Sequence, residues 1–287
     1  MASKEEAPLT GDDDAGVGQT SKLDAEVRRA VELILGSQAL LVVAGAGLAD
    51  MCRHELFVQD PKAAWAFHGP VLQRFREAVP HEGYSHLRRI CQTKGASSHF
   101  VCTSNVDGLL EKVGFEPKRL FNAHGSVHFW QCMCAKCNKR HSPWPAGDWT
   151  PGKLPECKFC KKMARPNVSL FDDNLGKNAD SFCGQRVLEQ FDFFENWLKQ
   201  VGRQKLCIIE IGCGVSEHSL RLVPKPGGKW AFMSDEWGLP PVAASLVRIN
   251  PTTEDCQPEA RSLAEGNKLL LVVSLLLLLL FLFLLVT

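Results

Sequence analysis

The sequence has almost no net charge: 33 Lys and Arg against 32 Asp and Glu leave a formal +1 at pH 7. It also lacks a basic stripe with interleaved aromatics, so no nucleic-acid partner is indicated. Residues 1–22 hold almost no large apolar side chain; they are small, polar and acidic, with Glu5, Glu6, Asp12, Asp13 and Asp14. Such a segment buries too little surface to offset its chain entropy and is expected to be a disordered tail. The same stretch lacks the basic start, apolar middle and small-residue cleavage site of a secretory signal, so none is expected there. No internal repeat is present, which speaks against a solenoid or a propeller.

What is present begins with cysteine. Twelve occur in 287 residues, and without a secretory signal the expected compartment is reducing. Cysteines there are core residues, metal ligands or reactive thiols. Cys91, Cys102 and Cys207 sit in apolar strings and read as ordinary packing. Five others crowd into the stretch from Cys132 to Cys160. Cys134-x2-Cys137 and Cys157-x2-Cys160 are joined by a turn-rich loop containing Pro143, Pro145, Gly147, Pro151 and Gly152. Two such knuckles supply four thiolates to a tetrahedral zinc, and a four-thiolate site leaves no open position, so the metal is expected to be structural. Cys132 is an alternative to Cys134 as the first ligand.

Residues 269–286 read LLLVVSLLLLLLFLFLLV, with Ser274 the single polar residue. As a helix this run spans about 27 Å, close to the hydrocarbon thickness of a bilayer. A buried core helix normally keeps one polar stripe, which this run lacks. Ser262, Ala264 and Gly266 are small residues suited to a lipid-anchor signal, but that route starts from a secretory signal. The expectation is a single transmembrane tail anchor over residues 268–287, with the body facing the cytosol. Lys268 is the one charge immediately beside it.

The body, residues 23–267, alternates between two periodicities. Residues 23–35 show helical spacing and end at Gly36, and helical segments are also read at 61–78, 84–93 and 186–201. Between them lie short apolar runs at 39–44, 99–103, 206–211 and 245–249. Continuous apolar strands suit a parallel sheet covered on both faces, and the alternation predicts an α/β doubly wound, Rossmann-like fold. The cysteine-rich stretch, about residues 126–165, interrupts it as a small zinc-binding insert.

Gly45-Ala46-Gly47 follows the first strand. Glycines there allow a tight turn and let backbone N–H groups approach a pyrophosphate, although the third glycine of the usual fingerprint is absent. Further along come Thr103-Ser104-Asn105-Val106-Asp107-Gly108, Asn122-Ala123-His124-Gly125-Ser126, Ala164-Arg165-Pro166-Asn167, Ile211-Gly212-Cys213-Gly214 and Ile249-Asn250. In this order around this cysteine unit, from about residue 40 to 251, the chain resembles the sirtuin family, in the branch with a Pro-His-Glu-Gly-Tyr helix start at 80–84.

That resemblance implies a Rossmann-type domain holding NAD, a flanking zinc domain, and an acyl-lysine protein substrate in the cleft between them. It implies a pyrophosphate turn at Gly45, Ala46 and Gly47. It places Asn105 and Asp107, within the Thr103-Ser104 turn, at the nicotinamide and ribose. Gly212, Cys213 and Asn250 fall at the adenosine half, and His124 is the general base. His128 has no matching family position and reads as structural. The sequence departs from the family after the glycine turn. Sirtuins continue with a serine-containing loop bearing Gly-Ile/Leu-Pro-x-Phe-Arg, which closes over the cofactor; here Leu48-Ala49-Asp50 leads quickly to Asp60-Pro61. The function expected is NAD-dependent protein deacylation with weakened cofactor turnover. The competing readings are mono-ADP-ribosyl transfer or NAD hydrolysis, and a catalytically silent binding module.

Overall fold

The computed structural model describes residues 14–45, 52–174, 178, 180–202, 204–214, 220–227, 229–233, 241–250 and 269–273. Its centre is a sheet of β1 (Ala39–Ala44), β2 (His99–Thr103), β3 (Leu120–Asn122), β7 (Leu206–Ile211), β11 (Ser245–Asn250) and β12 (Leu269–Val273). The strand order is β12-β11-β7-β1-β2-β3, and every neighbouring pair is parallel. Alternate residues of β1, β2, β3, β7 and β11 enter different cores. Leu40, Val42, Val101, Cys207, Ile209 and Val247 belong to one, and Leu41, Val43, Phe100, Ile208 and Leu246 to the other. Both faces are therefore apolar, which is why the strands read as unbroken hydrophobic runs.

The first face is covered by α1 (Asp14–Leu35), α4 (Glu82–Thr93) and α5 (Leu109–Lys112) through Ala30, Ile34, Leu87, Ile90 and Leu110. The second is covered by α7 (Gln185–Val201), through Val187, Phe194 and Trp197. An antiparallel meander of β8 (Leu222–Lys225), β9 (Lys229–Phe232) and β10 (Val242–Ala243) adds Trp230 and Phe232 to that face. A third core joins α2 (His54–Gln59) and α3 (Pro61–Glu77) to a small sheet of β4 (Gly125–Cys132), β5 (Trp144–Pro145) and β6 (Ala164–Val168), with α6 (Ala135–Asn138) beside it. Trp65 of α3 packs edge-on against Trp130 at 5.6 Å and donates its indole N–H to the Ala164 carbonyl at 3.1 Å. Asp60 caps α3 by accepting from the Ala63 N–H at 3.0 Å, with Pro61 in the first turn.

Two expectations change at the ends. Helix α1 starts at Asp14, so residues 14–22, expected to be disordered, are helical; residues 1–13 lie outside the described residues. The apolar run was expected to be helical from Leu269. Its described part, Leu269–Val273, is instead an edge strand paired in register with Leu246–Asn250. A run without periodicity fits a buried strand as well as a helix, and the free edge of β11 offers backbone groups for it to pair with. No helix of the described residues is long and apolar enough to cross a membrane. Residues 274–287 lie outside the described residues.

Inside the sheet, Glu210 of β7 faces Arg248 of β11 at the same register position, and both are buried. Arg248 donates through Nε and Nη2 to the Glu210 carboxylate, which also accepts from the Leu222 N–H at 2.8 Å. Glu210→Ala leaves a buried guanidinium without its counter-charge and is expected to cost about 3–5 kcal/mol in chemical denaturation. Adding Arg248→Met should recover much of that loss. A single-variant cost under about 1 kcal/mol would show that water, not Glu210, solvates Arg248.

Candidate active site and metal centre

The chain runs from β1 outward to β2 and β3 on one side, and β7, β11 and β12 lie on the other. The carboxyl ends of β1 and β7 therefore flank the topological switch point, where open α/β sheets take their ligands. Backbone bonds continue one residue past the strands: Gly45 N–H to Ile211 O at 3.1 Å, Ser104 N–H to Ala44 O at 3.0 Å, Gly212 N–H to Ile249 O at 2.9 Å, and Ala123 N–H to Thr103 O at 2.8 Å. These bonds hold Gly45, Thr103, Ser104, Gly212, Cys213, Asn250 and His124 at one edge of the sheet.

Gly212 has φ +68°, and a Cβ there would lie 2.7 Å from the Gly45 carbonyl oxygen. A Cβ on Gly45 would meet Ser104 Oγ at 3.1 Å and Cys213 Sγ at 3.3 Å. The two glycines thus form a cradle of bare backbone flanked by Ser104 and Cys213. Ala46 and Gly47 lie outside the described residues. Asn250 is buried and donates from Nδ2 to the Cys213 carbonyl at 3.4 Å, where Arg221 Nη1 also donates at 2.7 Å.

Thr103 Oγ1 accepts from the Asn105 N–H at 3.0 Å, which turns the chain out of β2. Asn105 Oδ1 is buried and has no hydrogen-bond partner among the described residues. Asp107 accepts from the Leu109 N–H at 2.9 Å and so starts α5, while burial pushes its carboxyl above the usual carboxylate range. His128 donates from Nε2 to the Asp107 carbonyl at 2.7 Å and packs against Gly108, a structural role. His124 follows β3, half-buried, and its carbonyl accepts from the Ser169 N–H at 2.9 Å. Burial lowers its pKa from 6.5, because the imidazolium is the form that loses hydration. Next to it, Gly125 has φ +80°, and a Cβ there would strike the Asn167 carbonyl at 2.2 Å; glycine lets β4 leave beside β6.

A network not expected from the sequence joins β6 to the loop that follows it. Arg165 is fully buried and donates from Nη2 to both Asp173 carboxylate oxygens at 2.7 and 2.8 Å, with Ser181 Oγ donating to the same carboxylate at 2.6 Å. The neighbouring Asp172 accepts from the backbone N–H groups of His54 and Glu55, and Phe171 N–H donates to Cys52 O at 3.0 Å. Burial raises the Asp172 carboxyl, but those two N–H groups, its own N–H and the nearby His54 together hold it below its ordinary value. The loop after β6 thereby grips the segment that follows the glycine turn. The sequence signal was the adjacent Asp172-Asp173 pair seven residues past Arg165 in the Ala-Arg-Pro-Asn motif. Arg53 is exposed at the start of α2, and Phe57 is buried against Trp65 and His68. Residues 46–51 lie outside the described residues.

In the insert, the Sγ atoms of Cys132, Cys137, Cys157 and Cys160 all lie within 4.8 Å of one another. Cys132 and Cys160 are 3.4 Å apart, and Cys137 and Cys157 are 3.7 Å apart. Tetrahedral zinc with Zn–S near 2.3 Å spaces its sulfurs about 3.8 Å apart, so four thiolates placed this way fit it. The backbone N–H of Lys162 lowers the Cys160 thiol to about 7, while burial raises those of Cys132 and Cys137. The first ligand position corrects the sequence expectation: Cys134 is not in the cluster, and Cys132 is. Strand β4 ends on Cys132, whereas Cys134 has become the N-cap of α6, and its N–H donates to Cys132 Sγ at 3.3 Å.

A family model described as the Sir2 family matches residues 45–194, which takes in the glycine turn, the His124 strand end and the cysteine cluster. The chain belongs to the Sir2 family. Among curated relatives, it is 26% identical over 130 residues to an NAD-dependent protein deacylase of Aquifex aeolicus, covering 45% of this chain and 51% of that one. It is 28% identical over 129 residues to an NAD-dependent protein deacetylase of Listeria innocua, covering 45% and 51%. This Sir2 chain thus spans about half the length of these relatives. A solved Sir2 homologue in complex with NAD superposes with a TM-score of 0.59 at 16% identity, covering 90% of this chain and 93% of that one, a likeness of fold. The Sir2 fold accounts for the parallel sheet with its small inserted unit.

Proposed function

We propose that this chain is an NAD-dependent protein-lysine deacylase with a structural zinc and slow cofactor turnover. The observation that carries the reading is the convergence of the Gly45–Gly212 backbone cradle, Asn105 Oδ1 without a partner among the described residues, and His124 at the carboxyl edge of one parallel sheet. The pyrophosphate would lie on the turn of Gly45, Ala46 and Gly47, the nicotinamide and its ribose beside Thr103, Ser104, Asn105 and Asp107, and the adenosine half beside Gly212, Cys213 and Asn250. When bound, NAD supplies the ribose carbon that accepts the acyl oxygen of the substrate lysine and the nicotinamide that departs. His124, kept neutral by burial, can take a proton from a ribose hydroxyl near pH 7. Asn105 Oδ1, an acceptor with no donor among the described residues, suits a carboxamide.

The segment between Gly45 and α2 is short, and a lid that closes over a cofactor works by excluding water and fixing the scissile bond. Full-length protein with NAD and an acetyl-lysine peptide should therefore release nicotinamide slowly and only with peptide present. Replacing residues 48–53 by a family-type loop should raise that rate about tenfold or more. Release without peptide would favour ADP-ribosyl transfer or NAD hydrolysis. NAD binding without release would favour a silent binding module. Equal rates with and without the longer loop would show that the short segment suffices.

Membrane attachment through residues 269–286 belongs to the same proposal. The run competes with itself: five of its residues pair as β12, and the 13 that follow to residue 286 are too few to span a bilayer helix alone. Tethering, with the body facing the cytosol, therefore requires β12 to leave the sheet edge. Full-length protein should stay with membranes through a carbonate wash, and protein ending at Asn267 should not. Full-length protein in the aqueous fraction would show that the sheet keeps the run.

A further inference from the structure

We propose that the zinc unit carries a basic docking face that selects acyl-lysines lying in acidic sequence. The acyl-lysine part rests on the deacylase reading above; the docking part rests on the unit's own charges. Between Cys132 and Lys162 the chain has seven Lys or Arg against Asp148 and Glu156, which leaves the rest of this nearly neutral protein net acidic. Asp148 is engaged by Arg76 at 3.0 Å and Lys139 by Asp180 at 2.7 Å. Lys136, Arg140, Lys153, Lys158, Lys161 and Lys162 are exposed, with no salt-bridge partner among the described residues. Within this stretch Glu156 is the one carboxylate outside those pairs. A zinc with four thiolates is itself anionic, which lowers this excess without reversing it.

The face is joined to the candidate active site. A cleft lined by Ala123, Ser169, Phe182, Leu188, Lys139 and Asp180 opens beside His124, whose carbonyl bonds the Ser169 N–H. Lys139 stands on its rim. Two residues on, His141 stacks on Phe159 with centroids 3.9 Å apart and planes 8° off parallel, and Lys158 Nζ sits 4.8 Å from the centroid of the Phe159 ring. That stack pins the second knuckle to the rim turn, so the lysines hold a set position relative to the cleft. A side chain in the cleft would place the residues flanking it along this rim, where carboxylates gain attraction and lysines are repelled. Phe159 is already engaged by His141 and Lys158, unlike the free aromatic platforms on which nucleic-acid bases stack. An acidic peptide fits better than a nucleic acid.

The test uses fluorescein-labelled acetyl-lysine peptides flanked by Glu, by Gln or by Lys, with binding to the full chain read by anisotropy. The Glu peptide should bind about tenfold tighter than the Gln peptide at low ionic strength, and the Lys peptide weakest, with the spread shrinking as salt screens exposed charges. Combined Lys158→Glu, Lys161→Glu and Lys162→Glu should abolish the order. These positions adjoin the cysteine knuckle, so zinc content is measured alongside, and Arg140→Glu with Lys153→Glu gives a second variant in which neither residue adjoins a ligand cysteine. Equal affinities for the three peptides would overturn the proposal. So would an oligo-dT of matching charge displacing the Glu peptide at equal concentration, which would assign a general polyanion surface. If the Glu peptide binds as tightly without its acetyl group, the docking face stands and the deacylase reading fails.

Discussion

His124→Ala is expected to lower peptide-dependent nicotinamide release by about 10²–10⁴-fold, the range a positioned general base contributes, while NAD affinity stays within a few-fold. The split follows from placement. The cradle of Gly45 and Gly212 is backbone and owes nothing to the imidazole, whereas the proposed proton removal rests on His124. Retained NAD binding in calorimetry is the control that separates a lost base from a collapsed site. The pH profile is a second, independent readout. Burial lowers the His124 pKa from 6.5, so the neutral, competent form persists to lower pH than an exposed histidine allows. The acid limb of kcat/KM should fall below pH 6.5. A limb at or above that value, or activity within a few-fold of the parent in His124→Ala, would move the role to another group.

Removing the metal should have the largest effect on stability. Cys157→Ala is expected to lose the single equivalent of zinc and to unfold the small sheet, while Cys134→Ala keeps both. Apparent binding energies for structural zinc in isolated zinc-finger peptides reach about 10–16 kcal/mol, more than most domains have in reserve. Cys157 is fully buried, and its N–H bonds the Lys162 carbonyl at 2.6 Å, so ligand and turn are lost together. The damage should spread, because Trp130, Cys132, Cys137, Cys157 and Ala164 share one core with Phe57 and Trp65. Metal analysis and near-ultraviolet dichroism of the two variants read this directly. Zinc lost equally from both would return Cys134 to the ligand set.

Much of the fold was legible because its signals are local. Strand β1 was read at Ala39–Ala44, and β2 and β7 at the bounds the structure gives, since strands buried on both faces must be apolar throughout. Helices α3, α4 and α7 matched their apolar spacing within two residues at each end. The short strands β3 and β5 and the meander β8–β10 were missed, because two to four residues carry no periodicity of their own. In β11 and β7, Arg248 and Glu210 are invisible as a pair from sequence; the register that sets them side by side is a tertiary fact.

The sequence by itself determined the alternation that makes the sheet, the motifs at the strand ends, and the presence of a four-cysteine metal centre. These depend on neighbours within a turn or two. The tertiary structure decided which cysteine comes first, that Asp172 and Asp173 bind the segment after the glycine turn to Arg165, and that Leu269–Val273 pairs with β11. Each of those joins residues far apart in the chain, and which partner wins depends on the geometry of an edge or strand end that no local pattern records. Cys132 displaces Cys134 because β4 ends where it does, and Leu269–Val273 becomes strand because β11 left an edge open.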